Sequence, residues 1–155
     1  MKIIQTAILS LEQKQVLFEL WNFEYPVKVT YSHISEFENY LNELPNKFHY
    51  LLLDDQKQVL GWTFTFTRDL DNWFVILIRS EIKGKGFGRI LLNQLKKNNS
   101  ALNGWVIDHD KNVKLNGEPY RSPLAFYIKN GFQVIEDIRL ENDKISAVKI
   151  RFEHN

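Results

Sequence analysis

The sequence predicts an α/β fold of the α+β kind, one domain over residues 1–155 with about seven strands and about four helices. Three observations predict it. Apolar runs of strand length, alternating or continuous, recur along the chain. Four segments carry apolar residues at helical spacing. After residue 78 the order changes from strands following strands to strands alternating with helices. The 155 residues suit one domain, and an apolar fraction of 44% suffices for a core.

Segment 2–9 is short and apolar and reads as a first strand. Segment 11–23 places Leu11, Val16, Leu17, Leu20 and Trp21 near one helical face, with Ser10 as N-cap and Pro26 beyond its end. Segment 33–44 repeats the pattern with Ile34, Phe37, Tyr40, Leu41 and Leu44 inward, Ser32 as cap and Pro45 as stop. Strands are expected at 48–53, 58–67 and 73–78, joined by polar turns at 54–57 and 69–72, as an antiparallel meander. Trp62, Phe64 and Phe66 alternate onto one face. A helix follows over 89–97, where Ile90, Leu91 and Leu95, with Leu92 and Phe87, make the stripe, then a strand over 104–108. The polar stretch 109–121, with Asn116-Gly117 and Pro119, reads as a long loop. Ser122 and Pro123 open a short helix that Gly131 ends. Segments 132–140 and 144–153 form a closing hairpin.

Twenty basic against nineteen acidic residues, a net charge of +1, gives no basic excess of the kind nucleic acids require. With no cysteine, disulfides, thiolate metal sites and a cysteine nucleophile are excluded. The histidines lack ligand spacing, so no metal is expected. No apolar run reaches membrane-span length and no leader is evident, so a cytoplasmic protein without a membrane partner is expected.

One segment carries chemistry. Lys83-Gly84-Lys85-Gly86-Phe87-Gly88 runs from a strand into a helix beginning near Arg89. Glycines allow close backbone approach, and the first helical turn offers free N–H groups and a partial positive charge. With Lys83, Lys85 and Arg89 around it, this is an anion site suited to phosphate or pyrophosphate. It lacks the Gly-Lys-Ser/Thr of a P-loop, and Ile90 or Leu91 stands where a dinucleotide fingerprint needs its third glycine.

Residues 78–92, IRSEIKGKGFGRILL, resemble the cofactor motif of the GNAT acetyltransferases: Gln or Arg, two residues, Gly, any residue, then Gly or Ala. Lys83 takes the Gln/Arg place, and Gly86 and Gly88 take the glycine places. A second match, Ala125-Phe126-Tyr127-Ile128-Lys129-Asn130-Gly131-Phe132, is similar to the family's later tyrosine helix followed by Gly-Phe. Ser122 stands where the family often has Asn. The likeness covers roughly residues 58–153, and the first third matches in element order only.

The resemblance implies a mixed sheet splayed in the middle, with the 73–78 and 104–108 strands parallel and parting around acetyl-CoA. It implies cofactor contacts from Ile78, from Lys83, Gly84, Lys85, Gly86, Phe87, Gly88 and Arg89, and from Ser122 and Tyr127. The expected reaction is direct acetyl transfer to an amine, small or peptidic, by a monomer or homodimer. Tyr127 is the candidate general acid, and Asp108 or His109, ending the strand beside the cleft, the candidate base; Asp69 and Asp71 are alternatives. Glu24, Tyr25, Tyr31, Tyr120 and Arg121 are candidates for the acceptor pocket. A non-catalytic acyl-CoA-binding module, or a phosphate-binding protein of another kind, are the competing readings.

Overall fold

The computed structural model describes residues 1–154. Helices cover both faces of one seven-stranded sheet. Its strands are β1 (Lys2–Thr6), β2 (Phe48–Leu53), β3 (Val59–Arg68), β4 (Asp71–Ile78), β5 (Ala101–Ile107), β6 (Gln133–Glu141) and β7 (Ser146–Glu153). They stand in the order β1-β2-β3-β4-β5-β7-β6. Four α-helices complete the chain: α1 (Leu11–Glu24), α2 (Ile34–Asn42), α3 (Phe87–Asn98) and α4 (Leu124–Lys129).

Alternation within the strands divides the core. Trp62, Phe64, Phe66, Trp73 and Leu77 face α1 and α2, meeting Leu17, Leu20, Trp21, Phe37 and Leu41. Tyr50, Leu52, Phe74, Leu102, Val106 and Ile150 face the other way, against Leu91, Leu92 and Leu95 of α3 and Tyr127 of α4. A smaller cluster of Ile107, Tyr120 and Ala147, with Tyr25 and Trp105 packed on it, continues the α1 side over β5.

Every neighbouring strand pair is antiparallel except β4–β5. Hairpin β3–β4 turns on Asp69 and Leu70, both at positive φ (51° and 59°), the geometry whose twist suits a two-residue connection. The parallel pair β4–β5 has a single register pair, Trp73 with Asn103. Side chains lock that point. Asn103, fully buried, donates from Nδ2 to Asn72 O at 2.9 Å and accepts at Oδ1 from Arg151 Nη1 at 2.8 Å. Arg151 Nη1 also reaches Asp71 Oδ2 at 2.7 Å. Beyond this clamp the two strands part.

The structure differs from the sequence expectations in places with clear causes. Strand β1 ends at Thr6, not at residue 9, because Thr6 Oγ1 bonds both the N–H and the C=O of Ile8 and turns the chain. Ser10 caps α1 through a capping box with Gln13, but Leu11 is exposed outside the stripe. His33, not Ser32, is the N-cap of α2, its N–H held by the Glu36 carboxylate at 3.1 Å. In α3 Leu92 is buried where Ile90 is exposed. Strand β5 begins three residues earlier than expected, at Ala101, where pairing with Glu153 of β7 fixes its start.

His49 lies buried on β2, accepting at Nδ1 from Trp62 Nε1 at 3.1 Å and packed beside Trp62 and Phe64, which stack on each other. Burial first, and the charge of Lys47 second, lower its pKa from 6.5 to about 4. The unfolded chain therefore binds a proton that the folded chain refuses between those values. Stability is expected to fall as pH drops from about 6.5 to about 4, and His49→Gln to flatten that slope, as thermal melts across the range will read. Asn103→Ala removes both the donor to Asn72 O and the acceptor for Arg151; a loss of about 1–3 kcal/mol in urea unfolding is expected.

Candidate functional site

The gap begins where the clamp ends. Arg79 N donates to Leu60 O at 3.0 Å, which fixes the parity of the β3–β4 ladder. By alternation the backbone N–H and C=O of Phe74, Ile76 and Ile78 turn away from β3, toward β5. Strand β5 pairs there only with β7, so the edge of Ile76 and Ile78 lines an open wedge.

At the wide end of this wedge, a 3₁₀ turn at Ser80–Ile82 leads into the glycine turn. Gly84 and Gly86 both have positive φ (80° and 89°), and Gly86 is the left-handed N-cap of α3. No side chain caps this helix. Among the described residues, the N–H groups from Gly84 to Arg89 make no internal hydrogen bond; the first to do so is Ile90, to Gly86 O at 3.2 Å. Six consecutive donors at a helix start are thus open to an anion. Gly88 serves a different need: a Cβ there would stand 3.2 Å from Phe126 Cζ, so its absence lets α4 approach α3.

Tyr127 sits on that same face, among Phe74, Phe126 and Phe132 at ring distances of 5.3–5.8 Å. Its hydroxyl makes no hydrogen bond among the described residues. No fully buried side-chain oxygen lacks a partner there, so this hydroxyl sits at an accessible edge. Burial, with a smaller contribution from nearby Tyr120, raises its pKa far above 10 and keeps it a proton carrier.

On the opposite face, the last residue of α1 supplies a buried carboxylate. Glu24 accepts from Ser80 N at 2.9 Å and from Ser80 Oγ at 2.5 Å. Lys114 Nζ lies 3.6 Å from it and Lys83 Nζ 3.7 Å. Lys114 is itself only 6% exposed. Stretch 109–121 is more than a loop: Lys114 N donates to Glu118 O at 2.9 Å, Val113 bridges Pro119, and Val27 N donates to Val113 O at 2.9 Å. This small hairpin, turning at Asn116-Gly117, carries Lys114 under the end of α1. Together with Ser80, Lys83, Tyr120 and Arg121 it bounds a cavity of about 310 Å³.

The remaining expected residues are placed as follows. Asp108 is held by both guanidinium nitrogens of Arg139, at 2.8 and 3.0 Å, which lowers its pKa and leaves it a weak base. His109 Nδ1 accepts from Lys111 N at 3.1 Å and lines a second cavity with Lys28, Lys111 and Lys144. Asp69 and Asp71 lie at the β3–β4 turn, at the clamped end of the wedge. Ser122 Oγ donates to Ile107 O at 2.6 Å and accepts from Leu124 N at 3.2 Å, joining the end of β5 to the start of α4, whose N-cap is Pro123. Lys83 leads the glycine turn but directs its ammonium to Glu24. Glu24, Tyr25 and Tyr120 gather on the α1 side, with Tyr25 and Tyr120 6.4 Å apart; Tyr31 packs on Trp21 and Tyr40 farther along that face. Lys114 and Ser80 escaped the sequence reading. The Asn-Gly pair in a long polar stretch signals the hairpin, but nothing local signals a buried lysine.

Among the described residues no group of three His, Asp or Glu side chains is placed to hold a metal, and no helix is long and apolar enough to cross a membrane. No protein-family model and no curated protein matches the sequence. Solved structures do match over nearly the whole chain. An aminoglycoside 6'-N-acetyltransferase complexed with coenzyme A superposes with a TM-score of 0.72 at 16% identity, covering 99% of this chain and 97% of the other. The fold is that of the GNAT N-acetyltransferases. The enzyme of the same description from Enterococcus faecium gives 0.71 at 16% identity, over 99% and 97%. A variant of spermidine N-acetyltransferase from Vibrio cholerae gives 0.64 at 18%, over 99% and 95%. In this GNAT fold the uncapped glycine turn follows the end of β4 that borders the wedge, and Glu24 meets Ser80 between them.

Glu24→Ala leaves Lys114 buried without a counter-charge; a loss of about 3–5 kcal/mol is expected in denaturant unfolding, with Glu24→Gln recovering part of it through Ser80.

Proposed function

We propose that this chain is an N-acyltransferase that moves an acetyl group from acetyl-CoA directly to an amine. The observation that carries this reading is the wedge between β4 and β5 leading to six N–H groups without an internal partner, with the Tyr127 ring packed on Phe74 of β4. A neighbour of the same fold is complexed with coenzyme A, and the residues here fit that molecule. The donors from Gly84 to Arg89, with Lys85 and Arg89 beside them, would hold the pyrophosphate. The edge of Ile76 and Ile78 would pair with the pantetheine amide and offer an N–H to the thioester carbonyl oxygen. When bound, acetyl-CoA supplies the acyl group already activated as a thioester.

The chain's own contribution is positioning and proton transfer. The wedge holds carbonyl and amine together, an advantage of effective concentration. The amine nitrogen forms the new C–N bond as the C–S bond breaks, and the amine proton passes to water. The Tyr127 hydroxyl delivers its proton to the departing sulfur and recovers one from solvent. With Asp108 bound by Arg139, the amine proton needs no dedicated carboxylate.

A parallel calorimetric titration with acetyl-CoA, CoA and ATP tests the reading. Micromolar binding of the two CoA compounds without ATP supports it, and ATP binding without CoA binding would overturn it. Binding of acetyl-CoA with no thiol release across amines would favour the non-catalytic module. Tyr127→Phe is expected to lower kcat about 10²- to 10³-fold while the affinity for CoA stays within about twofold, as steady-state thiol release and calorimetry will read.

A further inference from the structure

Resting on the acyl-transfer reading, we propose that the acceptor is an amine that also carries an anionic group, a carboxylate or phosphate, seated in the cavity bounded by Ser80, Lys83, Lys114, Tyr120 and Arg121. Several structural neighbours are named for polycationic acceptors, aminoglycosides and spermidine, and one for phosphinothricin; this cavity has the wrong sign for the polycations.

Lys114 anchors the inference. A lysine almost wholly removed from water must be paired, and its pairing is incomplete. The ammonium has three donors. One reaches Ser80 Oγ at 3.0 Å, while the Glu24 oxygen stands at 3.6 Å, beyond hydrogen-bond length. The Glu24 carboxylate is already committed to the N–H and hydroxyl of Ser80 and lies 1% exposed, so it offers no negative surface to the cavity. Lys83 shares the same carboxylate at 3.7 Å, so two ammonium groups lean on one anion. Arg121 adds a third cation at the rim, against Glu118 alone.

The excess continues next door. Across the 111–114 backbone, the second cavity of about 310 Å³ is lined by Lys28, Lys111 and Lys144 with Asp143 as its acid. The chain as a whole is nearly neutral at +1, so this concentration is a local arrangement. The cavity adjoins the glycine turn through Lys83 but reaches to the other side of the sheet. The glycine turn opens α3 on one face of the sheet, whereas Glu24 and Tyr120 belong to the α1 face. Tyr120 joins cavity to wedge: it walls the cavity and packs with Ile107 at the end of β5, while Ser80 of the same cavity follows the end of β4.

The test uses the whole chain saturated with acetyl-CoA. Thiol release is compared for butylamine, spermidine, L-glutamate and phosphoethanolamine, with calorimetric binding of each amine to the chain–CoA complex. The expected result is at least about tenfold higher kcat/KM, or tighter binding, for glutamate or phosphoethanolamine than for butylamine and spermidine. Which of the two wins separates carboxylate from phosphate. Arg121→Gln, an exposed substitution that threatens no core, is expected to cut the ratio of anionic-amine to butylamine kcat/KM about threefold, and Lys114→Gln to cut it further. A preference for spermidine, or equal response to all four amines, overturns the proposal and leaves acyl transfer standing. Failure to bind CoA at all removes the reading on which it rests.

Discussion

Everything functional in this fold depends on one parallel contact between two strands. β4 and β5 meet at Trp73 and Asn103 and nowhere else in register. Two parallel strands that began together would normally continue pairing, since each unpaired buried backbone group costs free energy. Here the join is made by side chains: Asn103 satisfies Asn72, and Arg151 reaches across from β7 to Asn103 and Asp71. The clamp fixes one end firmly, so the other end opens at a set angle. A cavity made this way has backbone donors along one wall, which no arrangement of surface side chains would supply so regularly.

Chemistry is divided between the two faces of the sheet. The α3 face offers neutral backbone donors and an apolar bed around Tyr127. The α1 face offers the buried Glu24 and Lys114, with the exposed Lys83 reaching the same carboxylate. Ion clusters of this kind are poor sources of stability compared with apolar packing. The same reasoning separates Asp108 from Tyr127. Asp108 is fastened to Arg139 at a partly exposed position, a structural pairing, while Tyr127 has a hydroxyl with no partner of its own.

Much of the architecture was legible because its signals are local. Alternation over 59–68, an apolar run at 73–78 and glycines between a strand and a helix each report on neighbours a few residues away. Strand boundaries shifted where a side chain intervened, as Thr6 does in ending β1. The α3 stripe held Leu91, Leu92 and Leu95 but also took in Ile90, which is exposed: equally apolar neighbours differ only in which of them the sheet covers. The candidate site was legible in its glycine turn and in Tyr127, but not in what surrounds them. Arg139 meets Asp108 from 31 residues away, and Ser80 meets Glu24 from 56. Such pairs depend on how far a strand or hairpin carries a charge, which composition does not encode.

The sheet's order has a consequence for how the chain is made. Strands β1 to β4, with α1 and α2, pair among themselves apart from the one β4–β5 contact and are complete by residue 78. β5 is different: Ala101, its first residue, pairs with Glu153, among the last residues of β7. During synthesis the amino-terminal half can collapse while still tethered to the ribosome. β5 must wait with an unsatisfied edge until some fifty further residues emerge. The wedge thus forms last, at the seam between an early-folding half and a late one, and its geometry is inherited from how the second half docks on the first.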